Sequence, residues 1–105
     1  MIDIIVKKIF GSRQGPDFRE LINKGAQIID VRTKEEYQRG HIKASVNIPL
    51  PVLSNNLSKI QKDQAIITCC ASGVRSASAK RILESQGYTK VFNGGGWLSL
   101  KQKIS

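Results

Sequence analysis

The stretch Ile66-Ile67-Thr68-Cys69-Cys70-Ala71-Ser72-Gly73-Val74-Arg75-Ser76 constrains this chain more than any other. A run of apolar and β-branched residues ends on cysteine, small residues follow, and a helix-like segment begins near Ser76. That pattern reads as a buried strand feeding a tight loop and then a helix. A cysteine at such a junction sits where backbone N–H groups converge and where the positive end of a helix dipole points. Both favour the thiolate, which is the nucleophile. Arg75 adds a fixed positive charge or a donor fork for an anion. The turn is therefore suited to covalent chemistry on anionic substrates.

The rest of the chain alternates strand-like and helix-like segments. Residues 1–16 read as a separate N-terminal segment, either a short strand or a flexible arm, and residues 17–105 as the domain. Asp17 caps a helix over 18–24 that stops at Gly25. Residues 26–31 form a buried strand. Thr33 and Glu36 match a capping box at the start of a short helix that ends by Gly40. A strand over 44–48 is stopped by Pro49 and Pro51. Leu53, Leu57 and Ile60 predict a helix over 53–61. The central strand covers 65–69, and a helix from Arg75 or Ser76 runs to Gln86 with Gly87 after it. Residues 88–92 form another strand, Asn93 to Gly96 a loop, and 97–103 a last helix, with Trp97 and Leu98 read as core. Alternation with tight crossovers implies an α/β domain whose central, mostly parallel sheet carries helices on both faces. Sites in such sheets form beyond the carboxyl ends of the strands, where Cys69 and Cys70 fall.

A chain of 105 residues supports one core. No apolar run approaches the ~20 residues of a membrane span, and the N-terminus lacks the order of a signal peptide, so no membrane association and a cytoplasmic location are expected. The only two cysteines are adjacent and suit a reduced state. Net charge is +9, which draws anions, but the basic residues are scattered without interleaved aromatics, so no nucleic-acid partner is expected. His41 is the only histidine, which argues against a metal site, and it reads as packing in its turn. Asp30 and Arg32 read as a structural ion pair at the site rim.

Ile28-Ile29-Asp30-Val31-Arg32, Glu36-Tyr37, Gly40-His41-Ile42, Ala44 and Asn47-Ile48-Pro49 resemble the first half of a single-domain rhodanese. Cys70-x-x-Gly73-x-Arg75-Ser76 resembles that family's active-site loop, and Gly95-Gly96-Trp97 its closing motif. The resemblance implies a rhodanese-like α/β fold and a sulfurtransferase. In that family a cysteine takes sulfane sulfur from a small anionic donor such as thiosulfate, and the persulfide hands it to a thiol or cyanide. It implies Cys70 as nucleophile, with Ala71, Ser72, Gly73, Val74, Arg75 and Ser76 forming the binding loop. Neither a cofactor nor a metal is implied. Ala71 departs from thiosulfate-using relatives that carry a basic residue there. The departure widens the expected donors to low-molecular-weight persulfides and sulfur-delivery proteins, and a sulfur-carrier protein is a further candidate partner.

Two other readings use the same loop. Counted from Cys69, Arg75 completes the Cys-x5-Arg spacing of cysteine-dependent phosphatases and arsenate reductases. Against this, Thr68 stands where a histidine usually precedes the nucleophile, and Gly73 falls one place late. The other reading is a non-catalytic sulfur-relay or binding module.

Overall fold

Strands rich in Ile and Val on both faces need cover on both sides, and the sheet is arranged to give it. The computed structural model describes residues 15–105. Its sheet contains β1 (Gln27–Asp30), β2 (Val46–Asn47), β3 (Ile66–Cys70) and β4 (Val91–Gly96), in the spatial order β2-β1-β3-β4 and all parallel. β3 lies between β1 and β4, and all five of its residues are buried. The reading of an N-terminal segment over residues 1–16 falls almost wholly outside the described residues.

Alternation along the strands sorts side chains into two cores. Ile29, Ile66, Cys70 and Val91 face a cluster with Leu53, Ala79 and Leu83. Ile28, Ile67 and Cys69 face the opposite cluster, with Phe18, Ile42 and Leu100. The first is covered by α3 (Val74–Ser85) and a 3-10 segment (Leu50–Asn55), the second by α1 (Phe18–Asn23) and α4 (Trp97–Ile104). Asp17 caps α1 through the Glu20 N–H at 3.1 Å. Thr33 and Glu36 close the expected capping box on α2 (Lys34–Arg39).

Four expectations are corrected. The strand over 44–48 shortens to Val46–Asn47: Ala44 has a positive φ of 71°, and Pro49 has no N–H to donate. The helix over 53–61 is replaced by the segment Leu50–Asn55 and a second 3-10 turn, Leu57–Lys59. There the Asn56 side chain donates to Val52 O at 2.7 Å, taking the carbonyl an α-helix would offer to the Asn56 N–H. That N–H bonds Leu53 O instead. Asn93 to Gly96, expected as a loop, is part of β4. The glycines let the strand press on its neighbours: a Cβ on Gly94 would meet Ile67 Cγ2 and Thr68 O at 2.8 Å. Leu98, expected in the core, is 61% exposed, while Trp97 packs on the Phe18 cluster.

Candidate functional site

The carboxyl end of β3 delivers two cysteines to opposite sides of the sheet. Both are free and buried, in different clusters. Strand alternation places them in different surroundings. Burial, helped by the neighbouring Asp30 carboxylate, pushes the Cys69 thiol up to about 12. Asp30 is the cross-strand partner of Cys69.

Cys70 has the opposite tendency. Burial raises its pKa, but hydrogen bonds from the Ser76 hydroxyl and from the Ser76, Gly73 and Ser72 N–H groups outweigh that and hold it below the ordinary thiol value. The Gly73 N–H points at the sulfur from 2.9 Å and the Ser76 N–H from 3.4 Å. The loop reaches this geometry because Gly73 adopts φ 104°, a left-handed conformation that side chains resist. Its N–H then turns inward while α3 begins at Val74, one residue before the expected start. Of the expected loop residues, Ser72, Gly73 and Ser76 direct hydrogen bonds at the Cys70 sulfur. Ala71 and Val74 are exposed on the loop's outer side.

Arg75 reaches to Glu36. Its guanidinium forms a two-pronged ion pair with Glu36, Nη1 to Oε1 at 2.7 Å and Nη2 to Oε2 at 3.0 Å. Of its two expected roles, loop anchor and anion partner, this geometry is that of an anchor. The Arg75 fork beside Glu36, with the Thr33 N–H, lowers that carboxyl to about 2. Glu36 was legible as a capping residue, but its tie to the loop depends on a contact 39 positions away.

Asn93, Arg32 and His41 are the remaining residues to place. Asn93 places its side-chain oxygen 2.6 Å from the Ser76 hydroxyl, a contact that the expected glycine-rich loop did not foreshadow. Arg32 pairs with Asp30 at 2.8 Å, as expected, and both are buried. It also donates to Glu36 O and Gly40 O and lies 4.6 Å over the Trp97 ring. His41 is exposed and stacks on Tyr37 with ring centroids 3.8 Å apart, in keeping with a packing role.

The loop can therefore stabilise an anionic sulfur with fixed amide donors. Known proteins share its frame. The family model described as "Rhodanese-like domain" matches residues 16–103. The chain is 39% identical over 70 residues to thiosulfate sulfurtransferase PspE of Escherichia coli, covering 65% of this chain and 67% of that protein. It is 37% identical over 81 residues to the "putative sulfur carrier protein YrkF" of Bacillus subtilis, covering 77% of this chain but only 42% of that one. The solved structure "rhodanese with anions from E. coli" superposes with a TM-score of 0.66 at 36% identity, covering 71% of this chain and 91% of the other. With its parallel sheet and its cysteine-ended central strand, this chain belongs to the rhodanese-like domain family.

Proposed function

We propose that the protein is a sulfurtransferase that carries sulfur as a persulfide on Cys70. The observation that carries this reading is the convergence of the Gly73 and Ser76 N–H groups on Cys70 Sγ, in a thiol held below its ordinary pKa. The relatedness to PspE, named a thiosulfate sulfurtransferase, supports it.

In the first half-reaction the Cys70 thiolate attacks the outer sulfur of thiosulfate. An S–S bond forms to Cys70, the bond to the sulfonate sulfur breaks, and sulfite leaves with its electron pair. In the second, a thiolate or cyanide attacks the outer persulfide sulfur and Cys70 leaves as thiolate. Splitting one transfer into two displacements is the role of a covalent nucleophile. Between them, the loop amides hold the persulfide anion. Cys70 has no exposed surface, so the donor reaches it as the exposed Ala71–Ser72 side of the loop opens. With Ala71 beside the cysteine and Arg75 occupied by Glu36, low-molecular-weight persulfides join thiosulfate as donors. A thiol, cyanide or a sulfur-carrier protein is the acceptor, and the free thiols suit a cytoplasmic setting.

Phosphoryl transfer is disfavoured by the same geometry. Its spacing counts from Cys69, which faces the other side of the sheet with a thiol pushed up to about 12.

Intact mass after incubation with thiosulfate or glutathione persulfide, beside Cys70→Ala, tests the reading. A gain of one sulfur on the parent protein alone is expected. A gain that survives Cys70→Ala, or none with either donor, overturns it. Uptake of sulfur without turnover to cyanide or thiol would assign the relay role instead.

A further inference from the structure

Ser76 has one hydroxyl proton and two oxygens that can take it, Asn93 Oδ1 at 2.6 Å and Gly73 O at 3.0 Å, while the Cys70 thiol donates to Ser76 Oγ from 3.5 Å. Ser76 is fully buried while Asn93 is exposed, so at the hydroxyl itself these protein groups are the partners within reach. Asn93 enters from β4, outside the loop. Its Oδ1 also accepts the Gly95 N–H at 2.9 Å, and its Nδ2 donates to Gly73 O at 3.4 Å. The Gly95 donor fixes which end of the carboxamide faces the serine, because an N–H must meet the oxygen.

We propose that Asn93 is a positioning residue for Cys70: it holds the Ser76 hydroxyl away from the sulfur while the sulfur is a thiol and yields it when the sulfur becomes an anion. In the thiol state the donation runs from Cys70 S–H to Ser76 Oγ, and from Ser76 O–H to Asn93 Oδ1. When the thiol proton leaves to solvent, the sulfur turns from donor to acceptor. The hydroxyl rotates about its Cβ–Oγ bond and donates to Sγ. Asn93 Oδ1 keeps the Gly95 N–H and is not left unsatisfied. A charged acceptor binds a hydroxyl roughly twice as strongly as a neutral one, so the switch follows the charge. The persulfide, also an anion, holds the hydroxyl in the second position. Because Asn93 favours only the thiol arrangement, it keeps the proton on Cys70 more firmly than Ser76 alone would.

The charged and titratable groups near this cysteine are Glu36 on α2, Arg75 on α3, Asp30 on β1, Arg32 just beyond it, and Cys69 on β3. The two acid–base couples among them are ion-paired, and none touches Asn93. Among the described residues of β4 none is charged.

The inference rests on Cys70 being the reactive thiol, and it is tested apart from sulfur transfer. The rate of iodoacetamide alkylation is followed against pH, with the labelled cysteine identified by peptide mass. The proteins are the parent, Asn93→Ala, Ser76→Ala and the double variant, each confirmed folded by circular dichroism. Asn93→Ala should move the profile to lower pH by about half a unit, roughly a threefold faster reaction on the acid side, since one pH unit is tenfold. Ser76→Ala should move it to higher pH, and the double variant should overlay Ser76→Ala. A purely structural Asn93 would keep its effect without the serine, so a shift surviving in the double variant overturns the proposal. An unchanged or upward-shifted Asn93→Ala profile overturns it too, as does labelling at Cys69. Intact mass after donor treatment is read separately. A protein that shows this pattern of shifts but takes up no sulfur would lose the sulfurtransferase reading and keep the hydroxyl device.

Discussion

Glu36 serves two elements with one carboxylate. Its Oε1 accepts the Thr33 N–H at 2.9 Å, closing the cap on α2, and both of its oxygens hold Arg75 of the cysteine loop. The start of the helix after β1 and the loop after β3 are thereby fixed to each other.

Glu36→Gln keeps the cap acceptor but removes the charge that holds Arg75. Both side chains are about a third exposed, so solvent screening reduces the loss to about 1 kcal/mol. The folded-state pKa of Glu36 is about 2, below its ordinary value of 4.5. The stabilisation is therefore complete above pH 4.5 and is lost as pH falls towards 2. Urea unfolding of both proteins from neutral pH downward should show a stability gap that narrows through this range. A gap that stays constant to the acid end would mean that the carboxylate is not its source.

The two cysteines should behave as unlike groups despite their adjacency. Near neutral pH iodoacetamide should label Cys70 and leave Cys69 unmodified, because burial pushes the Cys69 thiol up to about 12. Cys70→Ala should abolish sulfur transfer, and Cys69→Ala should keep most of it with a stability loss of about 1 kcal/mol for the small cavity. Loss of transfer in Cys69→Ala with retained transfer in Cys70→Ala would move the nucleophile to the other face of the sheet.

The sheet and the cysteine loop were legible because each is written locally. The apolar run Ile66 to Cys70 must be a buried strand, Gly73 must allow the turn, and Thr33 with Glu36 must start a helix. The resemblance then aligned these pieces in order. What sequence did not show depended on side chains meeting across the fold: Glu36 with Arg75, and Asn93 with Ser76. The misread glycines have the same cause. Gly94 and Gly96 look like loop residues in isolation, but they are strand residues whose missing side chains admit neighbours on β3 and the cysteine loop.

Those glycines give a third prediction. A Cβ on Gly96 would lie 2.9 Å from Ala71 O, the residue after Cys70, and Gly96 is the cross-strand partner of Cys70. Gly96→Ala should displace the loop and slow Cys70 alkylation and sulfur transfer together. Gly94→Ala meets Ile67, Thr68 O and Leu100 Cδ2 within 2.9 Å, in the packed interior. Overpacking of that kind costs about 1–3 kcal/mol, so its main effect should be on the urea midpoint. Gly96→Ala with parental alkylation kinetics would show that the loop does not lean on β4.

Arg32 supplies the last. It is 4% exposed, its guanidinium makes three hydrogen bonds to the fully buried Asp30 carboxylate, and it donates to Glu36 O and Gly40 O. Removing one partner of a buried pair leaves an uncompensated charge and typically costs about 3–5 kcal/mol. Arg32→Met preserves much of the side-chain volume while leaving Asp30 charged and alone. Asp30→Asn with Arg32→Met removes both charges and should recover part of the loss, so the double variant should be more stable than the two single effects added together. Neither residue bonds to Cys70, so the folded fraction of each variant should alkylate at that cysteine at close to the parental rate. Urea unfolding measures the first claim and alkylation in the absence of denaturant the second. If Arg32→Met unfolds within about 1 kcal/mol of the parent, well short of the loss expected for a broken buried pair, then the pair does not hold the sheet rim together.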